Sequence, residues 1–535
     1  MLKKLLFSGL LVGALSAQAA MVPEGTKLAE VQELYRGNGA EPATLDPNKM
    51  SGVPASNIAR DLFEGLIIQD GKGAPKMGQA ESYTVSKDNK TFTFKLKKGL
   101  KWSDGQPLTA NDFVYSYRRV VDPKTASDYS WYMIEAAILN AEDIVAGKMK
   151  PETLGVKAID DHTLEFTLNK PLPYFAKMLA HVTMSPVPRH VIEKYGDKWT
   201  RSGNMVSNGA YKLSNWVVNE KIELVRNPNY WDNENTVINK VTFYGIAENA
   251  QLNRYRANEI DITNAIPSTH FKNLQKTMAD QVVTPNYLGT YYYEFNTKRK
   301  PFDNKEIRKA LSYAVNRQAI TQGVLQNMGQ KPSYTLTPPT VDGFTPPTIG
   351  YSKMSQKDRE AEAKRILESA GYTKSNPLKF DLLYNTQDDN KKIAVAVQQM
   401  WKQFNVEATL VNKEWKTYLA DRNEQKFDVA RGGWIGDYNE ASTMLAIKTS
   451  GHGNNHDKYY NKEYDALMKK ANLASTDEER AAFYTKAEEV LAEDMPLINI
   501  YSYVKDALVK PNVKGYPVGN IEGNIYSKDI YKVEL

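Results

Sequence analysis

The chain has no cysteine and only six histidines among 535 residues. Without cysteine there is no disulfide and no lipid-acceptor residue behind a leader, and a chain this long has core enough without such staples. The histidines are His162, His181, His190, His270, His452 and His456, of which only the last two are close. Their spacing suits a metal only on a helix, and Gly451-His-Gly-Asn-Asn-His456 has the composition of a loop. No stretch after the first residues approaches the ~20 uninterrupted apolar residues of a membrane-spanning helix. There is no dense basic run either. The formal net charge is +6, two units of which belong to Lys3 and Lys4, too weak a bias to argue for nucleic acid.

Catalytic signatures are missing too. No Walker loop, HExxH or GxSxG occurs, and Gly71-Lys-Gly73 runs into a proline and then a strand, unlike a dinucleotide turn. Adjacent carboxylates such as Asp160-Asp161 and Glu488-Glu489 do not face each other on a regular element and are expected on solvated faces. No short-period repeat is present, which argues against a solenoid.

What is there begins with a leader. Lys3 and Lys4 precede an apolar run from Leu5 to Leu15, and Ala17-Gln-Ala19 supplies small residues for cleavage, so residues 1–19 read as a secretory signal and the mature chain as an exported, most simply periplasmic protein that is not a lipoprotein. The remaining length suggests about three domains.

From there to about residue 288 the chain is strand-rich. Thr91–Leu96, His162–Leu168, Lys221–Arg226 and Lys240–Ile246 alternate as strands, a helix is expected over Ser56–Leu66, and Thr109 with Asp112 resembles a helix N-terminus. Then the texture changes. Thr290–Asn296 reads as a strand, Asn304–Gln322 and Asp358–Ala370 as helices. Lys379–Asn385, Lys391–Phe404, Val406–Asn412, Trp415–Arg422 and Lys426–Ala430 alternate as β-α-β-α-β, with Glu478–Leu491 a late helix and Ile498–Leu508 a late strand. Such a sheet with crossover helices binds ligands beyond the carboxyl ends of its strands.

At one of those ends stands Arg431-Gly-Gly-Trp-Ile-Gly-Asp-Tyr-Asn-Glu440, where three glycines suggest a sharply turning loop carrying a cation, a flat ring and an anion. Such a set suits a ligand bearing both an amine and a carboxylate, and it contains no nucleophile with a base. An ordinary solvated turn with a core tryptophan is the alternative.

A resemblance then enters. Glu41-Pro-Ala-Thr-Leu-Asp-Pro47, Arg60-Asp-Leu-Phe-Glu-Gly-Leu66, the run from Ala80 through Trp102-Ser-Asp-Gly-Gln-Pro107 to Tyr115, Asn208-Gly-Ala-Tyr211, Arg226-Asn-Pro-Asn-Tyr-Trp231 and the segment from Phe302 through Ile307-Arg-Lys-Ala-Leu311 to Arg317 resemble, in order, the signatures of the peptide-binding class of extracellular solute-binding proteins that serve ABC importers. Within it the oligopeptide binders are most similar, with the murein-tripeptide binders close behind. The resemblance covers essentially the whole mature chain. It implies a mixed α/β, two-lobed, hinged fold of the type II, peptide-class periplasmic binding proteins. One lobe would comprise residues 20–64, 189–288 and 505–535, an extra inserted domain residues 65–188, and the second lobe residues 289–504.

The resemblance also implies a site. Asp437 would pair with the peptide's α-amino group, and the peptide backbone would add like a strand against Ser51, Gly52 and Val53 on one side and Gly433, Trp434 and Ile435 on the other. Tyr129, Tyr287, Tyr292, Glu294, Trp415 and Trp434 would line side-chain pockets, and Arg422 and Arg431 would lie near the carboxylate end. Plain core packing is the rival reading for the rings, and a helix-end charge for Arg422. The chain departs from the pattern where Ser51 replaces a glutamate, Asn390 a histidine, and Gly289 with Ile435 a cysteine pair, which puts selectivity in question.

The function implied is a receptor that encloses short peptides of about 2 to 5 residues and hands them to an inner-membrane permease, as a monomer, with no cofactor, metal or catalysed reaction. A narrower carrier of murein tripeptide or of another small ligand such as haem is one alternative; an exported hydrolase and a chaperone-like or adhesive surface role are others.

Overall fold

Three sheets carry the architecture of the computed structural model, which describes residues 20–535; the expected leader lies outside the described residues. The chain is a two-lobed assembly of mixed helix and sheet. Alternation of apolar and polar side chains over Thr91–Leu96 and Thr163–Thr167 produces the centre of a four-stranded antiparallel sheet, flanked by Ala80–Val85 and Val156–Asp160. Against it packs the helix Ala110–Val121, whose first turn is closed by the capping box that Thr109 and Asp112 suggest. A second four-stranded sheet is built from Glu33–Gly37, Lys240–Tyr244, Lys221–Arg226 and Tyr211–Val217 in that order. One continuous core runs through both sheets.

The third sheet has six strands, ordered Lys331–Pro332, Leu497–Val504, Asn286–Phe295, Val429–Ile435, Leu378–Asn385 and Val406–Lys413. The β-α-β-α-β reading holds: the last three strands are parallel, and their connections are the helices Asp388–Lys402 and Trp415–Asn423. Asn286–Phe295 lies centrally and is buried on both faces. Tyr291 and Tyr293 face a core containing Trp401, while Tyr292 faces one containing Leu336 and Met444. The chain joins this sheet to the rest through a two-stranded ladder of Val282–Val283 with Ala507–Leu508.

Several expectations are corrected. The helix expected over Ser56–Leu66 spans Val53–Leu62, because Pro54 starts it. The helix expected over Asn304–Gln322 is Lys305–Tyr313, followed after a break by a π-helical stretch at Ala319–Val324. Glu488 is not on a solvated face: it is buried, and its carboxylate accepts from the N–H groups of Leu336 and Thr337. Most consequentially, Arg431 to Ile435 is strand, not loop. Gly432 and Gly433 do not turn the chain; they make room. A Cβ on Gly432 would stand 2.2 Å from the Tyr292 ring, and one on Gly433 2.6 Å from the Tyr503 hydroxyl. Among the described residues no helix is long and apolar enough to cross a membrane.

Candidate functional site

Between the six-stranded sheet and the remainder of the molecule lies a cavity of about 300 Å3. Its floor is the strand Val429–Ile435, and the pairing of that strand is lopsided. One edge is laddered to Asn286–Phe295 along its whole length. The other meets Leu378–Asn385 only at Val429 and Ala430. Gly436 N–H bonds Leu288 C=O. Antiparallel alternation then turns Trp434 and Gly432 toward the partner strand and leaves the N–H and C=O groups of Gly433 and Ile435 on the open edge. An unpaired edge of this kind accepts an extended chain.

Asp437 follows immediately. Its Oδ1 receives His181 Nε2 at 3.3 Å and the Tyr129 hydroxyl at 3.4 Å, while Thr443 Oγ1 accepts its backbone N–H. Oδ2 is buried without a hydrogen-bond donor. His181 is set for its task by the rest of its ring: Nδ1 accepts the Thr183 N–H, which leaves the proton on Nε2, and the ring stacks on Tyr129 at 5.2 Å. Buried polar atoms without partners are uncommon in native structures. Here Arg431 Nε and Trp415 Nε1 are further examples on the same cavity wall.

The two arginines differ. Arg422 is ion-paired to Glu294 at 2.6 Å, Glu294 lies 3.7 Å from Lys448, and Lys448 lies 3.0 Å from Asp457. Burial works against the Arg422 charge, but Glu294 and its neighbours outweigh it and hold the guanidinium above its ordinary value. Among the described residues Arg431 has no carboxylate partner. It donates to the Tyr503 hydroxyl and, at 3.5 Å, to Asn385 Oδ1, and lies 4.8 Å over the Tyr291 ring.

Of the residues singled out in the sequence, Ser51, Gly52, Val53, Tyr129, Tyr287 and Tyr292 line this cavity, as do Asn390, Trp415, Arg422, Arg431, Gly433, Trp434, Ile435 and Asp437. Glu294 does not; it is fully buried behind Arg422. Gly52 closes directly on Trp415, whose ring would lie 2.6 Å from a Cβ there. Asn390 donates to Asn385 and Gln387 within its own lobe. Gly289 and Ile435 are cross-strand partners, and Ile435 Cδ1 fills the space a Cβ on Gly289 would need, at 2.4 Å. Sequence reasoning missed His181, Arg60, Lys505 and Glu522, all on the cavity wall. Arg60 opens the Arg60–Leu66 signature but was not marked there as a site residue, and the other three sit in no motif or periodic pattern.

The lobes are bonded to each other around the cavity. His452 meets Glu135 at 2.8 Å, Lys177 donates to the Asn439 carbonyl at 3.0 Å, and Ser268 donates to Asp389 at 2.6 Å. Two helices also exchange caps across the cleft: Glu248 accepts the Asp388 N–H at 3.2 Å and Asp388 accepts the Asn249 N–H at 3.1 Å. The cleft is closed.

Comparison with known proteins agrees with this geometry. The family model described as bacterial extracellular solute-binding proteins, family 5 middle, matches residues 74–456. The periplasmic oligopeptide-binding protein of Salmonella typhimurium is 47% identical over 99% of each chain. The solved structure of the Escherichia coli murein tripeptide binding protein superposes with a TM-score of 0.93 at 46% identity, covering 95% of this chain and 100% of that one. That of the Haemophilus influenzae oligopeptide-binding protein in complex with the peptide RPPGFSPFR gives 0.92 at 44% identity, with the same coverage. The unliganded open form of a periplasmic murein tripeptide binding protein gives only 0.67, although it covers 96% of this chain and 99% of that one. The difference lies in how the lobes are disposed, since sequence and coverage are nearly unchanged.

Proposed function

The chain belongs to the family 5 bacterial extracellular solute-binding proteins, and from that premise we propose that it is the periplasmic peptide receptor of an ABC importer, enclosing short peptides between its lobes and delivering them to an inner-membrane permease. The buried, donorless Oδ2 of Asp437 carries this reading: it is an anionic acceptor with one place left, suited to a peptide's α-ammonium group. The open edge at Gly433 and Ile435 supplies main-chain bonds indifferent to side chains, and Arg431, a cation without a carboxylate, suits the far α-carboxylate. An extended chain from Arg431 to Asp437 reaches at most about 20 Å, which favours ligands of about 2 to 5 residues.

The reading extends to the whole molecule. Residues 20–64, 189–288 and 505–535 form one lobe, 65–188 an inserted domain, and 289–504 the other lobe, with the Val282–Val283 and Ala507–Leu508 ladder as the hinge. Ligand binding holds the closed state, because only there do both lobes touch the peptide. The receptor acts as a monomer, is exported with cleavage near Ala19, and catalyses no reaction. A narrower preference for murein tripeptide is the second reading, favoured by the 0.93 superposition on a protein that binds it.

The test is calorimetry with a tripeptide and its N-acetylated form. Asp437→Ala is expected to cost about 2 to 5 kcal/mol, roughly 30- to 4000-fold in Kd, for the free peptide. The acetylated peptide should bind both proteins equally weakly. Equal affinity of the unaltered protein for both peptides would refute the assignment.

A further inference from the structure

One corner of the cavity has a charge pattern that neither the backbone edge nor the two ends of a peptide account for. Arg60, in the last turn of the helix Val53–Leu62, and Lys505, just beyond the strand Leu497–Val504, both line it. Among the described residues neither is within ion-pair distance of a carboxylate. The Arg60 side chain has a single hydrogen bond, from Nη1 to the Ser56 carbonyl at 3.3 Å, and its Nε is buried with no partner although the residue is only 8% exposed. Lys505 Nζ makes no hydrogen bond among the described residues and lies 5.4 Å over the Tyr287 ring.

The acids nearby do not cancel these cations. Asp506 Oδ2 accepts the Ile266 N–H, turning toward its own lobe. Glu522 accepts from Gln69 Nε2 and Asn524 Nδ2, and burial pushes its carboxyl up to about 8, so that it is largely uncharged at neutral pH. Lys505 is pushed down to about 8 by burial, with Asp506 acting to raise it and Arg36 and Arg60 to lower it. A site with two desolvated cations and donors left over invites an anion.

We propose that Arg60 and Lys505 form a subsite for the side-chain carboxylate of an acidic residue in the bound peptide. The inference rests on the reading of the cavity as a peptide site and makes the receptor selective where main-chain bonding is blind. Tyr287 forms a wall of the subsite and carries Lys505 over its ring face, so the acidic side chain is held by the two cations at the ring's side. An incoming carboxylate completes the protonation of Lys505, so binding takes up a proton near pH 8.

Calorimetry with Glu-Ala-Ala, Ala-Glu-Ala and Ala-Ala-Glu against their glutamine counterparts tests it. At one position glutamate should bind about tenfold more tightly than glutamine. Lys505→Met and, separately, Arg60→Gln should bring that ratio toward one while leaving the glutamine peptide's affinity near its original value, and Lys505→Arg should restore it. Titration at pH 8 in two buffers of different ionisation enthalpy should show more proton uptake with the glutamate peptide than with its glutamine counterpart, the α-amine contributing equally to both, and that excess should shrink in Lys505→Met. A ratio near one at every position, or one that survives both substitutions, overturns the subsite. If instead Lys505→Met abolishes the distinction between a free and an amidated peptide carboxyl terminus, the corner holds the α-carboxylate and the side-chain assignment is wrong. Failure of every peptide to bind would overturn the peptide reading itself, whereas binding without preference overturns only this inference.

Discussion

Arg422 and Arg431 stand in the wall of one cavity, and their charges are disposed in opposite ways. Arg422 is the cavity-side end of a buried chain, Arg422 to Glu294 to Lys448 to Asp457, in which two cations and two carboxylates cancel. Arg431 has phenols and an amide around it and no carboxylate. A buried ion pair that is already complete has little left to offer a ligand, since any new anion must compete with the one in place. An uncompensated buried cation is costly until something fills its field. The lesson is that a charged residue on a cavity wall is informative only together with its partner: Arg422 reads as scaffold, Arg431 as recognition.

That contrast can be broken most severely on the scaffold side. Glu294→Gln strands Arg422 as a buried cation, leaves Lys448 with Asp457 alone, and should lower unfolding stability by about 3 to 5 kcal/mol, measured by urea denaturation of ligand-free protein. On the recognition side the pattern inverts. Arg431→Gln should leave the urea midpoint nearly unchanged but weaken peptide binding by about 1.5 to 3 kcal/mol, and amidating the peptide's carboxyl terminus should cost the unaltered protein a similar amount and the variant little more. Were Arg422→Gln to weaken binding by as much as Arg431→Gln, with no further loss on amidation of the peptide in the Arg422 variant, the division between the two arginines would fall.

Much of this was legible in the sequence because it is local. The crossover pattern from Lys379 to Ala430 needs only apolar periodicity, and the capping box at Thr109 and Asp112 needs only adjacent residues. The cavity wall was legible where a motif concentrates it, as in Arg431, Trp434 and Asp437. What misled was glycine. Gly432 and Gly433 look like a turn, yet they are strand residues pressed against Tyr292 and Tyr503, and that crowding arises from segments far away in the chain. The same limit hid Lys505, which has no local pattern, and the place of Arg60 on the cavity wall, which its signature does not mark; both acquire meaning only because one lobe closes over the other. It also blurred Glu294, whose role behind Arg422 depends on Lys448 and Asp457 arriving from another segment.

His181 sharpens the comparison at the opposite end of the ligand. Asp437 resembles Arg431 in keeping one atom open, but it resembles Arg422 in having a titratable partner, and which likeness matters depends on what His181 does. With Nδ1 accepting the Thr183 N–H, it is Nε2 that faces Asp437, so the ring orients the carboxylate. His181→Phe keeps the stack on Tyr129 and removes the donor. It should weaken a peptide with a free amine by only about 0.5 to 1.5 kcal/mol, and the N-acetylated peptide not at all, because the charge on Asp437 survives while its fixed direction is lost. A gain in affinity would instead mean that a protonated His181 had been competing with the peptide's ammonium for the same oxygens, and Asp437 would then belong with Arg422 among the residues whose charge is already taken.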